Sequence, residues 1–299
     1  MFRQAATIAA IMAVASCSGS AGDDGTNLVT IGVSGDIDDV GDPTLGPGDP
    51  IERFEEEGQA SAITYDPGTD TFTVDNLAFD GTGVYDRDDE VATLNGFRVY
   101  ENNNPTERRA YKALYLESAS GLSRVAVVRT GSYLGFGFGG FVYARDGEVV
   151  LPTTGQATFQ GDYAGLRVFS GQGGIQYTTA DAELIVDFED FVSTRAVEGT
   201  LTNRQIFDTS GALVDTLPTL ILATGDISDA GELTGNASSQ RFDAGAGAFV
   251  DFEEGNYYGI IGGADADEIV GVIVVQGTDP DDATIGFQET GAFIAIETP

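Results

Sequence analysis

The sequence predicts an all-β protein. From residue 62 onward, short runs rich in Val, Ile, Phe, Tyr and Thr alternate with turn clusters of Gly, Asp and Asn, which is typical of strands joined by tight turns. No segment combines a sustained 3.6-residue apolar period with helix caps, and the best helical candidate, Ile51 to Gln59, is short. These observations favour strands throughout the folded part of the chain.

The amino terminus resembles a secretory signal. Arg3 precedes an apolar run from Ala5 to Ala15, which is well short of the ~20 residues that cross a bilayer as a helix. The residues before Cys17 are small or aliphatic and resemble a bacterial lipobox, in which the cysteine becomes the acylated first residue of the mature protein. We therefore expect residues 1–16 to be a lipoprotein signal peptide and Cys17 to carry the lipid.

The alternative for Cys17 is a chance cysteine beside an ordinary cleavage site. It is the only cysteine in the chain, and a single cysteine in an exported protein needs an explanation of its own. Ser18 stands where many Gram-negative lipoproteins retained at the inner membrane have Asp. The resemblance therefore implies the outer membrane, with the protein in the periplasm or on the surface.

Residues 17–50 are predicted to be a flexible tether. They are rich in Gly, Ser, Asp and Pro, and apolar residues occur only around Leu28 to Val33. Such a composition buries too little apolar surface to offset the entropy of ordering the chain. The segment is expected to hold the folded part away from the lipid at Cys17.

The charge of the chain narrows the classes of partner. There are 48 acidic residues and 14 basic ones, so the formal net charge is −34. A field of this sign repels phosphate backbones and anionic lipids, which disfavours nucleic acid as a partner. We interpret the acidity as a source of solubility.

Residues 51–151 are predicted to be a small β-rich domain. Its first hairpin pairs Ala62 to Tyr65 with Thr71 to Val74 across a loop that contains Pro67 and Gly68, both suited to turns. Further strand-like runs follow, at residues 94–100, 110–117, 123–129 and 136–143.

Residues 152–299 carry strand-like runs at near-regular spacing, which suggests a sandwich or a barrel. Between Ala182 and Phe188 the even positions are apolar while Glu183 and Asp187 face the other way, as expected of a half-buried strand. Residues 269–275 are apolar on both faces, so this strand is expected to lie between the barrel interior and a second packed surface. The pattern favours two domains in contact.

Several motifs in this second region resemble the barrel repeats of the transferrin-binding protein B family. They are the Gly155, Ala157, Phe159 and Gly161 pattern, the Val186 to Phe188 and Val197 to Leu201 stretches, and a Gly255 to Gly259 element followed by Ala264 to Gly271. The resemblance implies an antiparallel eight-stranded barrel preceded by a small handle-like domain. Glycines at 255, 259 and 271 also suit a barrel by themselves, since they let strands bend or approach closely.

The same resemblance implies a binding protein for a nutrient carrier such as an iron-carrying protein. The family member that binds transferrin has two such lobes, whereas this chain has room for one. One-lobed surface lipoproteins of similar shape bind other partners, such as factor H or haemoglobin, so the ligand stays open.

Enzymatic chemistry finds little support. The chain has no histidine, which excludes Ser-His-Asp and Cys-His triads and histidine-ligated zinc, and we predict neither a cofactor nor an enzyme. Gly135, Gly137 and Gly140 satisfy G-x-G-x-x-G, but the residues that follow are strand-like rather than helical, so a dinucleotide loop is disfavoured.

Clusters of carboxylates at residues 36–39, 86–90 and 279–282 are oxygen-rich, but none has EF-hand order. Solvated turns are the favoured interpretation over calcium sites. Carboxylate pairs for glycoside hydrolysis, Glu253 with Glu254 or Asp187 with Asp190, cannot be told from such turns by sequence.

One group of basic residues stands out against the acidic background. It is interleaved with aromatic side chains, and Arg and Tyr are favoured in binding hot spots, so it is a candidate partner patch. Cross-strand pairing with the abundant acids is the alternative. The candidate patch consists of Arg108, Arg109, Tyr111, Lys112, Tyr115, Arg124 and Arg129.

Together these features predict an outer-membrane lipoprotein, anchored through Cys17, that binds a protein at the cell surface. A structural envelope lipoprotein without a specific ligand is the alternative. A transmembrane barrel is disfavoured by the charged residues along the strands and by the ending Glu297, Thr298, Pro299.

Overall fold

The computed structural model describes residues 29–32, 62–75, 77, 81–102, 111–131, 135–147, 149–189, 195–279 and 282–299. Within these ranges the chain forms strands and turns, and no helix long and apolar enough to cross a membrane occurs there. Cys17, the helical candidate at 51–59 and the pair Arg108 and Arg109 lie outside the described residues.

The first nine strands form one antiparallel sheet, the first sheet. Its order is β1-β2-β3-β4-β6-β7-β8-β9, with the short β5 paired to β6, and β1 lies next to β9 so that the sheet nearly closes on itself. The strands are β1 Val29–Gly32, β2 Ala62–Asp66, β3 Thr71–Asp75, β4 Val84–Arg87, β5 Thr93–Leu94, β6 Phe97–Glu101, β7 Tyr111–Glu117, β8 Ser123–Thr130 and β9 Gly139–Arg145.

Two local outcomes in this sheet bear on the sequence expectations. The predicted hairpin is confirmed, because Ile63 pairs with Val74 and Tyr65 with Phe72 in antiparallel register. Val29–Gly32, inside the range expected to be a tether, instead forms β1 and pairs with β2. The few apolar residues of that range coincide with this strand.

The remaining strands form the barrel. Eight of them close through pairing of β11 with β12, in the order β11-β10-β18-β17-β16-β15-β14-β12, while β13 pairs only with the end of β12. The nine strands of this sheet are β10 Gln156–Phe169, β11 Ile175–Asp187, β12 Ala196–Phe207, β13 Leu213–Thr216, β14 Leu220–Ile227, β15 Glu232–Asp243, β16 Ala248–Gly262, β17 Glu268–Thr278 and β18 Gly286–Thr298. The prediction of an all-β fold with an eight-stranded antiparallel barrel after a smaller sheet is confirmed.

Strand alternation fills the barrel with side chains. On β11, Ala182, Leu184 and Val186 are buried in the interior cluster, while Glu183 is exposed on the outside, as predicted. Gly259 and Gly271 face each other on β16 and β17, and a Cβ on Gly271 would lie 2.3 Å from the Tyr258 carbonyl oxygen. The close approach expected at these glycines is therefore present.

The first sheet packs on the outer face of the barrel. On β17, Ile269, Ile273 and Val275 point into the barrel, whereas Val270, Val272 and Val274 join a second buried cluster with side chains of the first sheet. The expectation for residues 269–275 is confirmed. Since relative motion between packed units is opposed by a large apolar interface, we expect the two sheets to move as one body.

A tight turn also anchors the first sheet to the barrel. Asn95 and Gly96 join β5 to β6 with φ of 45° and 83°, the geometry of a two-residue Asn-Gly hairpin loop. The Asn95 side-chain amide donates to the Tyr163 carbonyl oxygen at 3.0 Å and to the Ala180 carbonyl oxygen at 2.9 Å. These two carbonyls belong to paired residues on β10 and β11, so the turn bridges neighbouring barrel strands.

Candidate functional site at the mouth of the barrel

One end of the barrel carries β13 and the tip of the β15–β16 hairpin, and we call this end the mouth. Beneath it, four charged side chains are buried inside the barrel and form the ionic cluster: Arg167, Arg204, Glu253 and Glu289. They come from β10, β12, β16 and β18. On β10, β16 and β18, strand alternation points Arg167, Glu253 and Glu289 inward. On β12 the alternation that buries Val197 and Leu201 is reversed by a β-bulge at Asn203, with φ of 52°, and this bulge turns Arg204 inward.

The ionic cluster is closely paired. Arg204 Nη1 lies 2.6 Å from Glu253 Oε2, and Arg167 Nη2 lies 2.8 Å from Glu253 Oε1 and 3.1 Å from Glu289 Oε2. Tyr163 donates to Glu289 Oε1 at 2.7 Å, and Ser239 donates to Glu253 Oε2 at 2.6 Å. Two cations and two anions thus balance each other in the interior.

The environment of Glu289 decides its protonation. Burial by itself raises the pKa of a carboxyl group, but the charges of Arg204 and Arg167 and the hydrogen bond from Tyr163 more than offset it. The pKa of Glu289 therefore lies below its usual value. The pKa of Arg204 is raised, since the two glutamates outweigh the effect of burial.

A cavity of about 200 Å³ opens above the ionic cluster. Its wall includes the rings of Phe252 and Phe287, whose centroids are 5.6 Å apart. The Arg167 guanidinium lies 4.0 Å from the Phe287 ring centroid, and that of Arg241 lies 5.3 Å from the Phe252 centroid. A second cavity of about 410 Å³ shares Arg241 and Phe252, so Arg241 stands between two concave surfaces.

Apolar side chains are exposed around the mouth. Leu213 and Val214 on β13 are 56% and 52% exposed, and Phe242 and Phe249 on the β15–β16 hairpin are 59% and 68% exposed. Phe242 and Phe249 are cross-strand partners with ring centroids 5.6 Å apart, an arrangement that also stabilises the hairpin. Val214 lines the smaller cavity.

The described members of the sequence-predicted patch lie elsewhere, in the first sheet. Tyr111 and Tyr115 are buried in its aromatic core. Lys112 is also buried; it forms a salt bridge with Asp88 and lies 2.7 Å from Glu101 Oε2, its cross-strand partner residue. These contacts favour the cross-strand interpretation for Lys112.

The two remaining arginines of that patch are also engaged within the fold. Arg124 lies opposite Glu117 on the neighbouring strand, at 3.1 Å, and 2.7 Å from Asp146. Arg129 is buried and donates to the Phe136 carbonyl oxygen and to Gln288 of the barrel. Arg129 therefore joins the two sheets.

The acidic clusters serve turns and interior contacts. Asp88 is buried, caps the backbone N–H groups of Glu90 and Val91 at 2.8 Å and accepts from Tyr177 of the barrel at 3.2 Å. Asp282 accepts from Thr284 in an exposed turn, whereas residues 36–39, 281 and 190 lie outside the described ranges. Over the described part of the chain, no group of three potential ligand residues is arranged to hold a metal ion.

The structure supports neither a catalytic pair at Glu253 and Glu254 nor a dinucleotide-binding loop at the glycine motif. Glu253 is buried in the ionic cluster and Glu254 is exposed, so the two carboxylates point to opposite faces of β16. Gly135 and Gly137 have φ of 53° and 77° in a turn, and strand β9 follows from Gly139. A helix does not follow the glycines, so a dinucleotide-binding loop is absent there.

The sequence reasoning missed Arg167, Arg204 and Glu289. The signal available for Arg167 and Glu289 was their place on otherwise apolar strand faces, such as the face that Tyr163 and Arg167 share on β10. Arg204 gave no such signal, because it is out of phase with Val197 and Leu201 and faces inward only after the bulge in β12. A charge on such a face is buried, and a buried charge requires a partner. Which charges meet depends on closure of the barrel.

The fold defines an all-β protein in which a closed eight-stranded barrel carries a smaller sheet on its outer face. Solved structures that match include a variant of Transferrin Binding Protein B from Haemophilus parasuis Hp5, with 16% sequence identity, a TM-score of 0.42, and coverage of 80% of this chain and 42% of that one. A surface lipoprotein matches with 15% identity and a TM-score of 0.36 over 83% of this chain and 96% of its own.

Intact Ap-TbpB, with its N and C lobes, matches with 12% identity and a TM-score of 0.36 over 79% of this chain and 52% of that chain. This chain thus spans about half or less of the transferrin-binding proteins that it matches. No family model and no curated protein match the sequence. The eight-stranded barrel that the resemblance at residues 155–271 implied is present in the strand order of this chain.

Proposed function

We propose that this protein is a lipid-anchored, non-enzymatic binding protein that holds a protein partner at the cell surface through the mouth of its barrel. The observation that carries the proposal is the exposure of Leu213, Val214, Phe242 and Phe249 at one end of the molecule. Exposed apolar groups gathered in one place mark interaction sites, and aromatic residues are enriched in protein interfaces.

The anchoring part of the proposal rests on Cys17 and the residues before it. In the proposed arrangement the lipid holds the chain at the outer membrane and the following residues give the barrel its reach. Labelled palmitate supplied to growing cells should enter the wild-type protein and be absent from Cys17→Ala. Label retained by Cys17→Ala, or missing from the wild type, would contradict the lipid anchor.

The partner class that the resemblance implies is a nutrient carrier, such as an iron-carrying protein, and we include it in the proposal. A basic surface on the partner would complement the net charge of −34 by electrostatic steering. Mixing the purified protein with iron-loaded transferrin and with its iron-free form tests this finer statement separately. Equal absence of binding to both forms would remove transferrin and leave the broader proposal in place.

The broader proposal is tested with a double variant, Phe242→Ser with Phe249→Ser. We expect wild-type protein to retain one saturable partner from host fluid or native medium, and the double variant to bind it at least tenfold more weakly. The matched control is Ile221→Ser on β14, which removes an exposed apolar side chain, 47% exposed, away from both mouth cavities. Thermal unfolding of each variant confirms that the barrel is intact.

Two results would overturn the broader proposal. One is a partner held equally by wild type and the double variant, which would place the interface elsewhere. The other is no saturable partner, together with an altered envelope when the gene is deleted, which would support the structural lipoprotein.

A further inference from the structure

The strands of the barrel part from each other at the mouth. The pairing of β14 with β15 stops at Ile221 opposite Ser238. Beyond that point β13 takes the place of β14 beside β12, and β13 pairs with β12 alone. From Gln240 to Asp243, β15 pairs only with β16. We call the space between Leu213–Thr216 and residues 240–243 the edge gap.

The smaller cavity lies within the edge gap. It is lined by Val214, Asp215 and Thr216 on one side and by Arg241 and Phe252 on the other, so the two strand edges face each other across it. An unpaired strand edge presents backbone N–H and C=O groups that a further strand can satisfy. On β13 the Thr216 N–H already donates to Asp215 Oδ1 at 2.7 Å, so the template for an added strand consists of the other edge groups of β13 and those of residues 240–243.

We propose that the edge gap binds an extended segment of the partner protein, which is added to the mouth as a further β-strand and places one apolar side chain in the cavity between Phe252 and Phe287. This inference rests on the proposed function and specifies the chemistry of its partner. Backbone hydrogen bonds would supply affinity and the side-chain pocket would supply specificity, as in other cases of strand addition.

The size of the cavity limits what it holds. Sites for small organic ligands usually have volumes of roughly 300–1,000 Å³, whereas this cavity has about 200 Å³. Its apolar wall, with Phe169, Phe287 and Leu217 among its residues, suits one large apolar side chain. A drug-sized molecule would leave much of its surface in water.

The acidic residues around the cavity favour basic residues on both sides of the bound apolar side chain. Asp215 and Asp279 line the cavity and Asp243 ends β15, while Arg241, which lies over Phe252, is the cation among them on the free edge. With a chain charge of −34, basic residues on either side of the apolar residue complement the rim. The partner segment is therefore apolar at its centre and carries Lys or Arg at its flanks.

A second copy of this chain is the competing occupant, because unpaired edges also pair with each other. Two copies would bring two strongly acidic surfaces together, which like-charge repulsion opposes. We therefore expect the purified protein to be monomeric. A dimer by light scattering that Val214→Trp dissociates would assign the edge gap to self-association and overturn the proposal.

The experiment uses a random dodecapeptide library displayed on phage, selected against the full chain. We expect enriched peptides with an apolar centre and basic flanks, and at least tenfold weaker binding of these peptides to Val214→Trp, in which the added ring occupies the cavity. Ile221→Trp is the matched control, since Ile221 is similarly exposed and lies outside the cavity. Methylation of alternate peptide backbone nitrogens should abolish binding, because a strand needs those donors.

Hydrogen exchange locates the bound peptide. The amides of residues 213–215 and 240–243 that do not pair with β12 or β16 should exchange rapidly in the free protein and at least tenfold more slowly in the complex. The Thr216 N–H, which donates to Asp215 Oδ1, is left out of the comparison. The proposal is overturned if these amides are already protected without peptide, or if no enriched peptide distinguishes Val214→Trp from Ile221→Trp. A partner that is lost from the Phe242, Phe249 double variant but leaves these amides unprotected would overturn the strand addition and leave the proposed function standing.

Discussion

Two groups of basic residues differ in how their distance along the sequence relates to the contacts they make in the structure. Lys112, Arg124 and Arg129 are close in the chain, and Lys112 and Arg129 are even register partners on β7 and β8, yet the three have different sets of contacts. Arg167 and Arg204 are isolated in the chain, and the barrel brings them to the same two glutamates. Closeness in sequence therefore did not predict a shared site, and closure of the barrel brought residues together that lie far apart in the sequence.

The difference also concerns the cost of removing a charge. The side chains of the ionic cluster are at most 3% exposed, so a charge left unpaired there would be poorly solvated. Lys112 is buried but one of its two partners, Glu101, is partly exposed, and Arg124 is itself partly exposed. Substitutions along this series should have decreasing effects on stability.

The largest effect is expected for Arg204→Met. It leaves Glu253 and Glu289 with only Arg167, so the barrel should lose about 3–5 kcal/mol of unfolding free energy. Urea unfolding followed by circular dichroism measures it. The double variant Arg204→Met with Glu253→Gln removes one charge of each sign and should recover part of the loss. A loss below about 1 kcal/mol for the single variant would show that water reaches the cluster.

An intermediate effect is expected for Lys112→Met, about 2–4 kcal/mol, because Asp88 stays buried without its cation. The pH dependence should also change. Burial by itself raises the pKa of Asp88, but hydrogen bonds from Lys112 and from the Val91 and Glu90 N–H groups lower it below its usual value. A lowered pKa in the folded state stabilises the fold above about pH 4 and that contribution is lost as the pH falls.

In Lys112→Met the pKa shift of Asp88 should change from a lowering to a raising. Without the cation, burial dominates, the pKa rises, and the protonated carboxyl becomes the better-tolerated form. The difference in unfolding free energy between wild type and Lys112→Met should therefore shrink between pH 7 and pH 3. A difference that stays constant over this range would show that Asp88 is not the group affected. Asp88→Asn with Lys112→Met serves as the control without a titrating pair.

The smallest effect is expected for Arg124→Ala. Its partners Glu117 and Asp146 are partly or largely exposed, and such ion pairs contribute about 0–1 kcal/mol. Chemical unfolding at low and at 1 M salt measures the change, which should diminish in high salt as screening increases. A salt-independent loss above about 2 kcal/mol would instead place Arg124 with the buried group.

Much of the fold was predictable because it depends on local pattern. The alternation at Ala182 to Phe188 identified a half-buried strand, and the doubly apolar run at 269–275 identified a strand covered on both faces. The Asn95 and Gly96 pair is a hairpin signal that a sequence displays, but its contacts with the Tyr163 and Ala180 carbonyls depend on how the sheets pack. Strand β1 was missed because four residues in a polar segment carry little periodicity.

By itself the sequence determined the all-β class, the faces of the long strands and the acidic surface, because each depends on residues that are neighbours along the chain. Only the tertiary structure decided that Arg167 and Arg204 share two glutamates and that the first sheet covers β17. It also decided that β13 and β15 lie at the mouth without pairing with each other. Each of these depends on the register of strands far apart in the sequence. Register is set by closure of the whole barrel, where one shift would exchange the inner and outer faces of a strand.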